Sequence, residues 1–310
     1  MGVPGESARS EGARIWVWPE SELLESAVAR GGGSVVPLEQ ANGIVCTGDD
    51  IELLRRSLLP EVRWVQLGAA GIEMWFDAGL MHPDVIWTAA KGVYAKPIAE
   101  HILALILAAA RGLPERARAR AWGSTGGRLL TGATVGIVGA GGIGAELISL
   151  LAPFATRTIA LTRDARVVPG AEVNVGPDGL RLLLEQSDYV VLTAALTAET
   201  TGMISANQLS SMRPDAWLIN VARGGLVDTG ALVEALRAGT IGGAALDVTE
   251  PEPLPTTHAL WALPNAIITP HVASTREMGE RFLAERVTEN VQRFAAGREL
   301  LGVVDQRLGY

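Results

Sequence analysis

Three polar side chains stand at the ends of consecutive predicted strands in the second half of the chain. Arg223 lies in N-V-A-R-G-G, Glu252 in D-V-T-E-P-E-P and His271 in T-P-H-V-A-S-T. Because neighbouring parallel strands bring their carboxyl ends to one crevice, these three residues can meet although they are far apart in sequence. Histidine titrates near neutral pH, a carboxylate orients its ring and favours the protonated form, and arginine holds a carboxylate with two parallel hydrogen bonds. The set predicts proton transfer beside an anionic group, although each residue alone also fits a strand-end salt bridge or a turn.

A glycine-rich turn precedes these residues. Residues 134–151 read T-V-G-I-V-G-A-G-G-I-G-A-E-L-I-S-L-L, which is an apolar run, a glycine cluster and then apolar residues at helical spacing. The pattern predicts a strand, a tight turn at Gly139, close approach of a pyrophosphate at Gly141, and a helix packed on the strand at Gly144. The N–H groups at the start of that helix would face the phosphates. Methyltransferases use similar turns, so the motif alone leaves that class of protein open.

Alternating strands and helices must position these residues. In the first part of the chain, strands are predicted at 15–18, 43–47 and 62–67, with helices between them. Such alternation implies a parallel sheet with helices on both faces. The strand at 62–67 ends in Gly68-Ala69-Ala70-Gly71, where backbone N–H groups could meet a ligand, although a plain tight connection fits as well.

The second part of the chain repeats this pattern after one long apolar helix. That helix is predicted over 98–111, and we expect Glu100 and His101 in its first turn to be structural. After the glycine-rich turn, strands and helices alternate to form a full doubly wound domain. A final helix at 277–296 comes too late for that domain and is expected to return to the first one.

Length and composition limit the possible functions. The chain has 310 residues, of which 48% are hydrophobic, and this is enough for two domains with separate cores. The net charge of −8 gives no basic surface for nucleic acid or an anionic membrane. Cys46, the only cysteine, reads as a buried apolar residue, and the four histidines lack metal-ligand spacing, so we expect no disulfide and no metal. The apolar runs are too short for a bilayer and residues 1–13 lack a signal core, which predicts a cytoplasmic protein.

Four motifs together resemble those of a known family. G-A-G-G-I-G at 139–144, L-I-N-V-A-R-G-G-L-V-D at 218–228, A-A-L-D-V-T-E-P-E-P-L-P at 244–255 and N-A-I-I-T-P-H-V-A at 265–273 stand in the order of the D-isomer-specific 2-hydroxyacid dehydrogenases. The likeness extends to A-A-G-I after position 68, to P-I-A-E-H-I-L-A-L after position 96, and to the terminal L-G-Y. The chain therefore resembles glyoxylate or hydroxypyruvate reductases and phosphoglycerate dehydrogenases over almost its whole length.

The resemblance implies hydride transfer between a nicotinamide and C2 of a 2-keto acid, which gives the (R)-2-hydroxy acid in the reducing direction. By the family's roles, His271 delivers the proton to the carbonyl oxygen and Glu252 keeps His271 protonated until then. Arg223 would bind the substrate carboxylate and polarise the same carbonyl. The family's glutamate stands five residues after the aspartate that ends its strand, which selects Glu252 rather than Glu250.

The resemblance also implies an α/β architecture of two doubly wound parallel-sheet domains. A flavodoxin-like substrate domain would hold residues 1–94 and 276–310, and a Rossmann dinucleotide-binding domain would hold residues 95–275. Backbone N–H groups of Ala70 and Gly71 in the substrate domain would complete the carboxylate site in an interdomain cleft. The cofactor contacts other than those at the adenosine ribose carry over to Gly139, Gly141, Gly142, Ile143, Gly144, Ala194, Ala195, Thr200, Val221, Ala222 and Asp247.

The end of the second strand of the dinucleotide-binding domain bears on the choice of cofactor. An NAD-binding member carries Asp or Glu there to accept from the ribose 2′-OH, whereas this chain reads L-T-R-D, with Thr162 followed by Arg163. Threonine and arginine can bind a 2′-phosphate, so we expect NADP rather than NAD. The alternative is that Asp164 turns inward and restores a preference for NAD.

Other functions compete with the dehydrogenase reading. A nucleotide-sensing binding protein without activity would keep the same fold and the same three polar residues. Formate dehydrogenases of the superfamily pair the histidine with glutamine, so Glu252 argues against them, and a methyltransferase gives no reason for the three polar residues together. We expect a small 2-keto or 2-hydroxy acid as the ligand, no nucleic acid or membrane partner, and by resemblance a homodimer that uses the apolar helix near Ile98.

Overall fold

The structure is a computed structural model that describes residues 12–123 and 126–305. The start of the polar N-terminal stretch, up to residue 11, and the terminal L-G-Y motif at 308–310 lie outside the described residues. The chain divides into two units. Unit 1 runs to Tyr94 and resumes at Arg276, and unit 2 is Ala95–Thr275.

Unit 1 contains one parallel sheet. Its elements in chain order are β1 (Arg14–Trp18), α1 (Glu22–Arg30), β2 (Ser34–Val35), β3 (Gly43–Cys46), α2 (Ile51–Ser57), β4 (Trp64–Leu67), α3 (Glu73–Asp77), β5 (Ile86–Thr88) and the last helix of the chain, Arg276–Ala295. The strand order β2-β1-β3-β4-β5 is that of flavodoxin-like sheets. Every residue of β3 and β4 is buried, as expected of parallel strands covered on both faces.

Unit 2 contains a larger parallel sheet. Its elements are α4 (Ala95–Ala110), α5 (Leu113–Arg118), β6 (Thr134–Val138), α6 (Gly142–Leu151), β7 (Arg157–Leu161), β8 (Val173–Val175), α7 (Leu180–Gln186), β9 (Tyr189–Leu192), α8 (Ala206–Ser211), β10 (Trp217–Asn220), α9 (Thr229–Ala238), β11 (Gly243–Leu246) and β12 (Ala266–Ile268). The helix at Arg276–Ala295 is α10. The strand order β12-β11-β10-β9-β6-β7-β8 is the Rossmann order with one added edge strand.

The observed topology places the ligand-binding edge of unit 2. The order reverses between β6 and β9, and ligands of doubly wound sheets bind outside the carboxyl ends of the strands at that point. Two apolar clusters cover the two faces of this sheet, and one of them includes the buried side of α4. The predicted fold class is therefore confirmed.

The sequence-based prediction of elements was incomplete at the short ones. The strands β5 and β8, each of three residues, and the short helices α3, α5 and α8 were not predicted. Both strands lie at sheet edges, where few residues carry a periodic pattern. Within the described part of the chain, no helix combines the length and the apolar character that a bilayer crossing requires.

Candidate active site

Arg223 leaves the carboxyl end of β10 on a turn that its neighbours hold in shape. Asn220, the last residue of β10, is buried, and its amide Nδ2 donates to the Arg223 carbonyl oxygen at 2.9 Å. The Asn220 Oδ1 accepts from the Ala222 N–H at 3.1 Å, and Arg223 Nη1 donates to the Ala222 carbonyl oxygen at 2.7 Å. The protein itself therefore orients the backbone that carries this guanidinium.

A buried carboxylate organises the loop that carries His271. Asp247 follows β11 and is 2% exposed. Its Oδ1 accepts from the Thr269 hydroxyl at 2.6 Å and the Val272 N–H at 2.9 Å, and its Oδ2 accepts from the Ala273 N–H at 2.9 Å. The His271 N–H donates to the backbone oxygens of Asp247 at 2.8 Å and Thr269 at 3.0 Å. These bonds hold His271 at a φ of +53°, a left-handed conformation that costs a non-glycine residue on the order of 1 kcal/mol.

His271 and Glu252 meet directly. The distance from His271 Nδ1 to Glu252 Oε1 is 2.6 Å, and Glu252 Oε2 accepts from the Thr249 N–H at 3.3 Å. The two side chains are 53% and 40% exposed, so a ligand can reach them. Because the carboxylate is bound to Nδ1, the ring orientation is set and Nε2 is left for proton transfer.

The loops that bear Arg223 and Glu252 touch at a glycine. A Cβ on Gly224 would lie 2.0 Å from the Thr249 carbonyl oxygen, so only a hydrogen atom permits this approach. A Cβ on the next residue, Gly225, would meet the side chain of Leu196 at 3.3 Å. The three predicted polar residues, Arg223, Glu252 and His271, follow the carboxyl ends of the neighbouring strands β10, β11 and β12.

The glycine-rich turn between β6 and α6 has the shape that a pyrophosphate requires. Gly139 has a φ of +91°, and a Cβ there would lie 2.4 Å from Ala194 Cα. Above Gly141 the space is open, because a Cβ would meet nothing nearer than the Gly139 carbonyl oxygen at 3.9 Å. The helix α6 begins at Gly142 without a side-chain cap, so its first N–H groups are available to an anion. At Gly144 a Cβ would lie 3.2 Å from a side chain of β6, which explains the close helix packing.

Charged residues surround the end of β7. Thr162 is buried, whereas Arg163, Asp164 and Arg166 are exposed. Arg166 Nη2 donates to the Ala140 carbonyl oxygen in the glycine-rich turn at 3.4 Å. The pKa of Asp164 is lowered, first by a hydrogen bond from its own backbone N–H and further by Arg166. The Asp164 carboxylate is therefore ionised at neutral pH, and the Arg166 guanidinium lies beside the glycine-rich turn.

The remaining predicted cofactor residues lie around the same strand ends. The Thr200 hydroxyl donates to the Ala195 carbonyl oxygen at 2.7 Å and accepts from the Thr197 N–H at 2.8 Å, so it closes the loop after β9. Val221 and Ala222 are buried beside Arg223. Ile143 lies in the first turn of α6, and Asp247 uses both carboxylate oxygens within the protein. Their contacts with a cofactor stay predictions.

The predicted substrate-binding residues Ala70 and Gly71 lie in unit 1, in the loop after β4. The preceding Ala69 carbonyl oxygen accepts from the Ala90 N–H at 2.8 Å, which anchors the loop. Among the described residues, no hydrogen bond engages the N–H of Ala70 or Gly71. The two N–H groups are thus able to bind an anion, and their role stays a prediction.

Cys46 is not a candidate nucleophile. Burial raises the pKa of its thiol to about 11, which a hydrogen bond with the Gly48 backbone only partly opposes. The thiol therefore stays protonated at neutral pH. Over residues 12–123 and 126–305, no group of three or more His, Cys, Asp or Glu side chains is placed to hold a metal ion.

Sequence reasoning missed three residues of this site. Arg166 follows Arg163 at a spacing of three, and a pair of arginines after the second strand is a signal that could have identified it. Asn220 and Thr269 stand inside the motifs that were recognised. The bond of Asn220 to Arg223 depends on the shape of the turn after β10, and the bond of Thr269 to Asp247 depends on how the ends of β11 and β12 align.

Comparison with known proteins relates the whole chain to dehydrogenases. The family profile described as D-isomer specific 2-hydroxyacid dehydrogenase, NAD binding domain, matches residues 103–273. A glyoxylate reductase of Aeropyrum pernix is 37% identical over 262 residues, which are 80% of this chain and 77% of that protein. A D-isomer specific 2-hydroxyacid dehydrogenase from Xanthobacter autotrophicus Py2, solved with NADPH and MES, has a TM-score of 0.83 and 30% identity, over 96% of this chain and 99% of that one. An NADPH-dependent glyoxylate/hydroxypyruvate reductase from Sinorhizobium meliloti, solved with NADP and sulfate, has a TM-score of 0.82 and 27% identity, over 96% and 100%.

The contact at Gly224 predicts different outcomes for two adjacent substitutions. Gly224→Ala places a methyl group against the backbone of Thr249. A backbone segment cannot change rotamer to relieve the clash, so we expect a loss of about 1–3 kcal/mol in the free energy of unfolding. Gly225→Ala meets only a flexible leucine end and should change stability by less than about 0.5 kcal/mol. Denaturant unfolding followed by circular dichroism measures both, and equal stability of the two variants would contradict the described contact.

Proposed function

The chain belongs to the D-isomer specific 2-hydroxyacid dehydrogenase family, and from this premise we propose that it reduces a small 2-keto acid to the (R)-2-hydroxy acid with NADPH. As a member of this family it is an NAD(P)-dependent dehydrogenase. The observation that carries the proposal is the 2.6 Å contact between His271 Nδ1 and Glu252 Oε1, on the sheet edge that also bears Arg223. The names of the similar enzymes, glyoxylate and hydroxypyruvate reductases, support a small substrate.

In the proposed reaction each residue acts on one part of the substrate. The bound nicotinamide supplies the hydride that reaches C2. His271 carries on Nε2 the proton that is transferred to the carbonyl oxygen. Glu252, which is hydrogen-bonded to Nδ1, stabilises the positive charge of the ring until that transfer. Arg223 binds the carboxylate and stabilises negative charge as it develops on the carbonyl oxygen. The N–H groups of Ala70 and Gly71 are the proposed further donors to the carboxylate.

The residues proposed to hold the cofactor follow from the shape of the turn. The open space above Gly141 and the uncapped start of α6 support pyrophosphate binding there. The loops after β9, β10 and β11 lie at neighbouring strand ends and would hold the rest of the nucleotide. The proposed set is Gly139, Gly141, Gly142, Ile143, Gly144, Thr162, Arg163, Ala194, Ala195, Thr200, Val221, Ala222 and Asp247.

Removal of the acid or of the guanidinium tests the reaction. We expect His271→Ala to lower kcat about 10²–10⁴-fold through loss of proton transfer. Arg223→Ala should lower kcat about 10²–10³-fold because it removes a donor to the developing oxyanion. The measurement is NADPH oxidation, followed by absorbance, with glyoxylate, hydroxypyruvate, pyruvate and phenylpyruvate. The matched control is His82→Ala, because His82 is an exposed histidine of unit 1.

Two outcomes would count against this assignment. Full activity of His271→Ala would remove His271 from the reaction. Tight binding of NADPH by the wild-type protein without turnover of any 2-keto acid would favour the nucleotide-sensing binding protein instead.

The preference for NADPH is a second part of the proposal. It is supported by the two exposed guanidinium groups of Arg163 and Arg166 after β7, and by the absence of Asp or Glu at position 162. Backbone N–H groups of its own turn and Arg166 lower the pKa of Asp164, and these interactions would compete with a ribose hydroxyl for the carboxylate. Both similar structures described above were solved with NADPH or NADP.

Charge removal after β7 tests the cofactor preference. We expect Arg163→Ala combined with Arg166→Ala to lower kcat/KM for NADPH about 10–100-fold, because a hydrogen bond to a charged group contributes about 1.5–3 kcal/mol. The value for NADH should change less than about threefold, since the 2′-OH carries no charge. Arg181→Ala is the control, because Arg181 is exposed and pairs with Glu185 on α7. An equal loss for both cofactors, or a wild-type preference for NADH, would refute the assignment.

We also propose that the protein is a cytoplasmic homodimer. The buried thiol of Cys46 suits a reducing compartment. We propose that the contact surface includes three large apolar side chains that follow α4 and are exposed, Leu113, Trp122 and Leu129.

Sedimentation velocity tests the dimer. We expect a particle of twice the chain mass of 32.6 kDa, and we expect Trp122→Arg with Leu129→Arg to shift it toward the monomer. Val167→Arg, a substitution at another exposed apolar residue, is the control and should leave the mass unchanged. A monomeric wild-type protein at micromolar concentration would contradict the proposal.

A further inference from the structure

We propose that His101 is a positioning residue that holds the His271 loop through Thr269 and Asp247. This inference rests on the proposed role of His271 and adds a second histidine to that site. His101 lies in the second turn of α4, because the helix begins at Ala95, three residues before its predicted start, and not in the first turn as expected. It therefore belongs to another element than the three strands that carry the polar set. Its Nε2 is 3.2 Å from Thr269 Oγ1 and 3.5 Å from Asp247 Oδ1.

The direction of these hydrogen bonds follows from the donors that each group has. An ionised carboxylate only accepts, so the single hydroxyl hydrogen of Thr269 points to Asp247 Oδ1 at 2.6 Å. Thr269 Oγ1 can then only accept a further hydrogen, and His101 Nε2 must donate it. The bonds therefore run in one direction from His101 to Thr269 to Asp247, and each donor strengthens the next one.

This chain of bonds ends at the backbone on both sides of His271. The Thr269 and Asp247 carbonyl oxygens both accept the His271 N–H, and the Asp247 carboxylate accepts the N–H groups of Val272 and Ala273. Together they keep His271 in its left-handed conformation. A loosened Thr269 would let the imidazole shift, and a shift of about 1 Å in a reacting group can cost about 10²-fold in rate.

The surroundings of His101 argue against a role in packing alone. The neighbouring Ile102, Leu105 and Ile106 bury the apolar face of α4, and their side chains need no polar partner. The His101 side chain is 20% exposed and points its Nε2 at an Asp247 side chain that is 0% exposed. A buried carboxylate is costly unless donors surround it, so a donor at this point has an electrostatic purpose.

The test compares substitutions that differ only in whether they can donate. We expect His101→Leu to lower kcat about tenfold while the Kd for NADPH stays within about twofold. His101→Gln can still donate through Nε2 and should restore kcat to within about threefold of the wild-type value. Glu100→Gln is the matched control, because Glu100 is the adjacent exposed residue of α4 and should have no effect.

Thr269→Val tests whether His101 acts through the hydroxyl. It should lower kcat as His101→Leu does, and the double variant should lose no more than the larger of the two single losses, because both remove the same chain of bonds. Additive losses would show that His101 acts by another route and would overturn the proposal. If His101→Leu does not fold, the protonation of His101 Nε2 in the wild-type protein, described next, still tests the proposal.

Two measurements without turnover separate this inference from the proposed function. Nitrogen-15 NMR should show a hydrogen on His101 Nε2, and amide exchange at Val272 and Ala273 should be faster in His101→Leu than in Glu100→Gln. A wild-type protein that turns over no 2-keto acid would defeat the proposed function, while the exchange rates would still decide whether His101 holds the loop. An unprotonated Nε2, or unchanged exchange together with unchanged kcat, would overturn the role of His101.

Discussion

The candidate site depends on one buried carboxylate. Asp247 is 2% exposed, and its negative charge is tolerable there only because the protein supplies donors to both oxygens. Three of these donors come from the segment after β12, so satisfying Asp247 fixes the path of the loop that bears His271. The left-handed backbone of His271 follows from this requirement, since the same segment must reach the carboxylate on both sides of the histidine. The requirement for hydrogen bonds to the buried Asp247 carboxylate thus sets the position of the exposed His271 imidazole.

The parallel register of the sheet extends this constraint to the other two loops. Asn220 pairs with Leu246 and Leu246 pairs with Ile268, so β10, β11 and β12 end level with one another. Their loops therefore leave the sheet side by side, and Gly224 lets two of them touch without a side chain between them. This is why Arg223, Glu252 and His271, which belong to separate stretches of sequence, can follow neighbouring strand ends. The bonds of Asn220 to the Arg223 turn then complete the arrangement.

Features with a repeating pattern or a recognisable motif could be predicted from the sequence. Short elements and contacts between segments that are remote in sequence could not. Alternating strands and helices predicted both parallel sheets, and the glycine spacing predicted the turn before α6. The edge strands β5 and β8 were not predicted because three residues are too few to show the alternation of a strand. Arg166 was missed because its guanidinium reaches the turn at Ala140, a contact between segments that no local pattern contains. The hydrogen bond between His101 and Thr269 was not predicted for the same reason, since α4 and β12 are remote in sequence.

The attraction of anionic ligands to this protein depends on local positive charge more than on the net charge of −8. The proposed ligands, a dinucleotide and a 2-keto acid, are both anionic, and the overall charge would repel them at long range. At distances beyond the screening length of about 8–10 Å, however, salt removes most of this repulsion. Within that length, the exposed guanidinium groups after β7 and the uncapped start of α6 present positive potential. The lowered pKa of Asp164 keeps its exposed carboxylate ionised between these guanidinium groups, so the segment after β7 carries two positive charges against one negative charge and stays locally attractive to a 2′-phosphate.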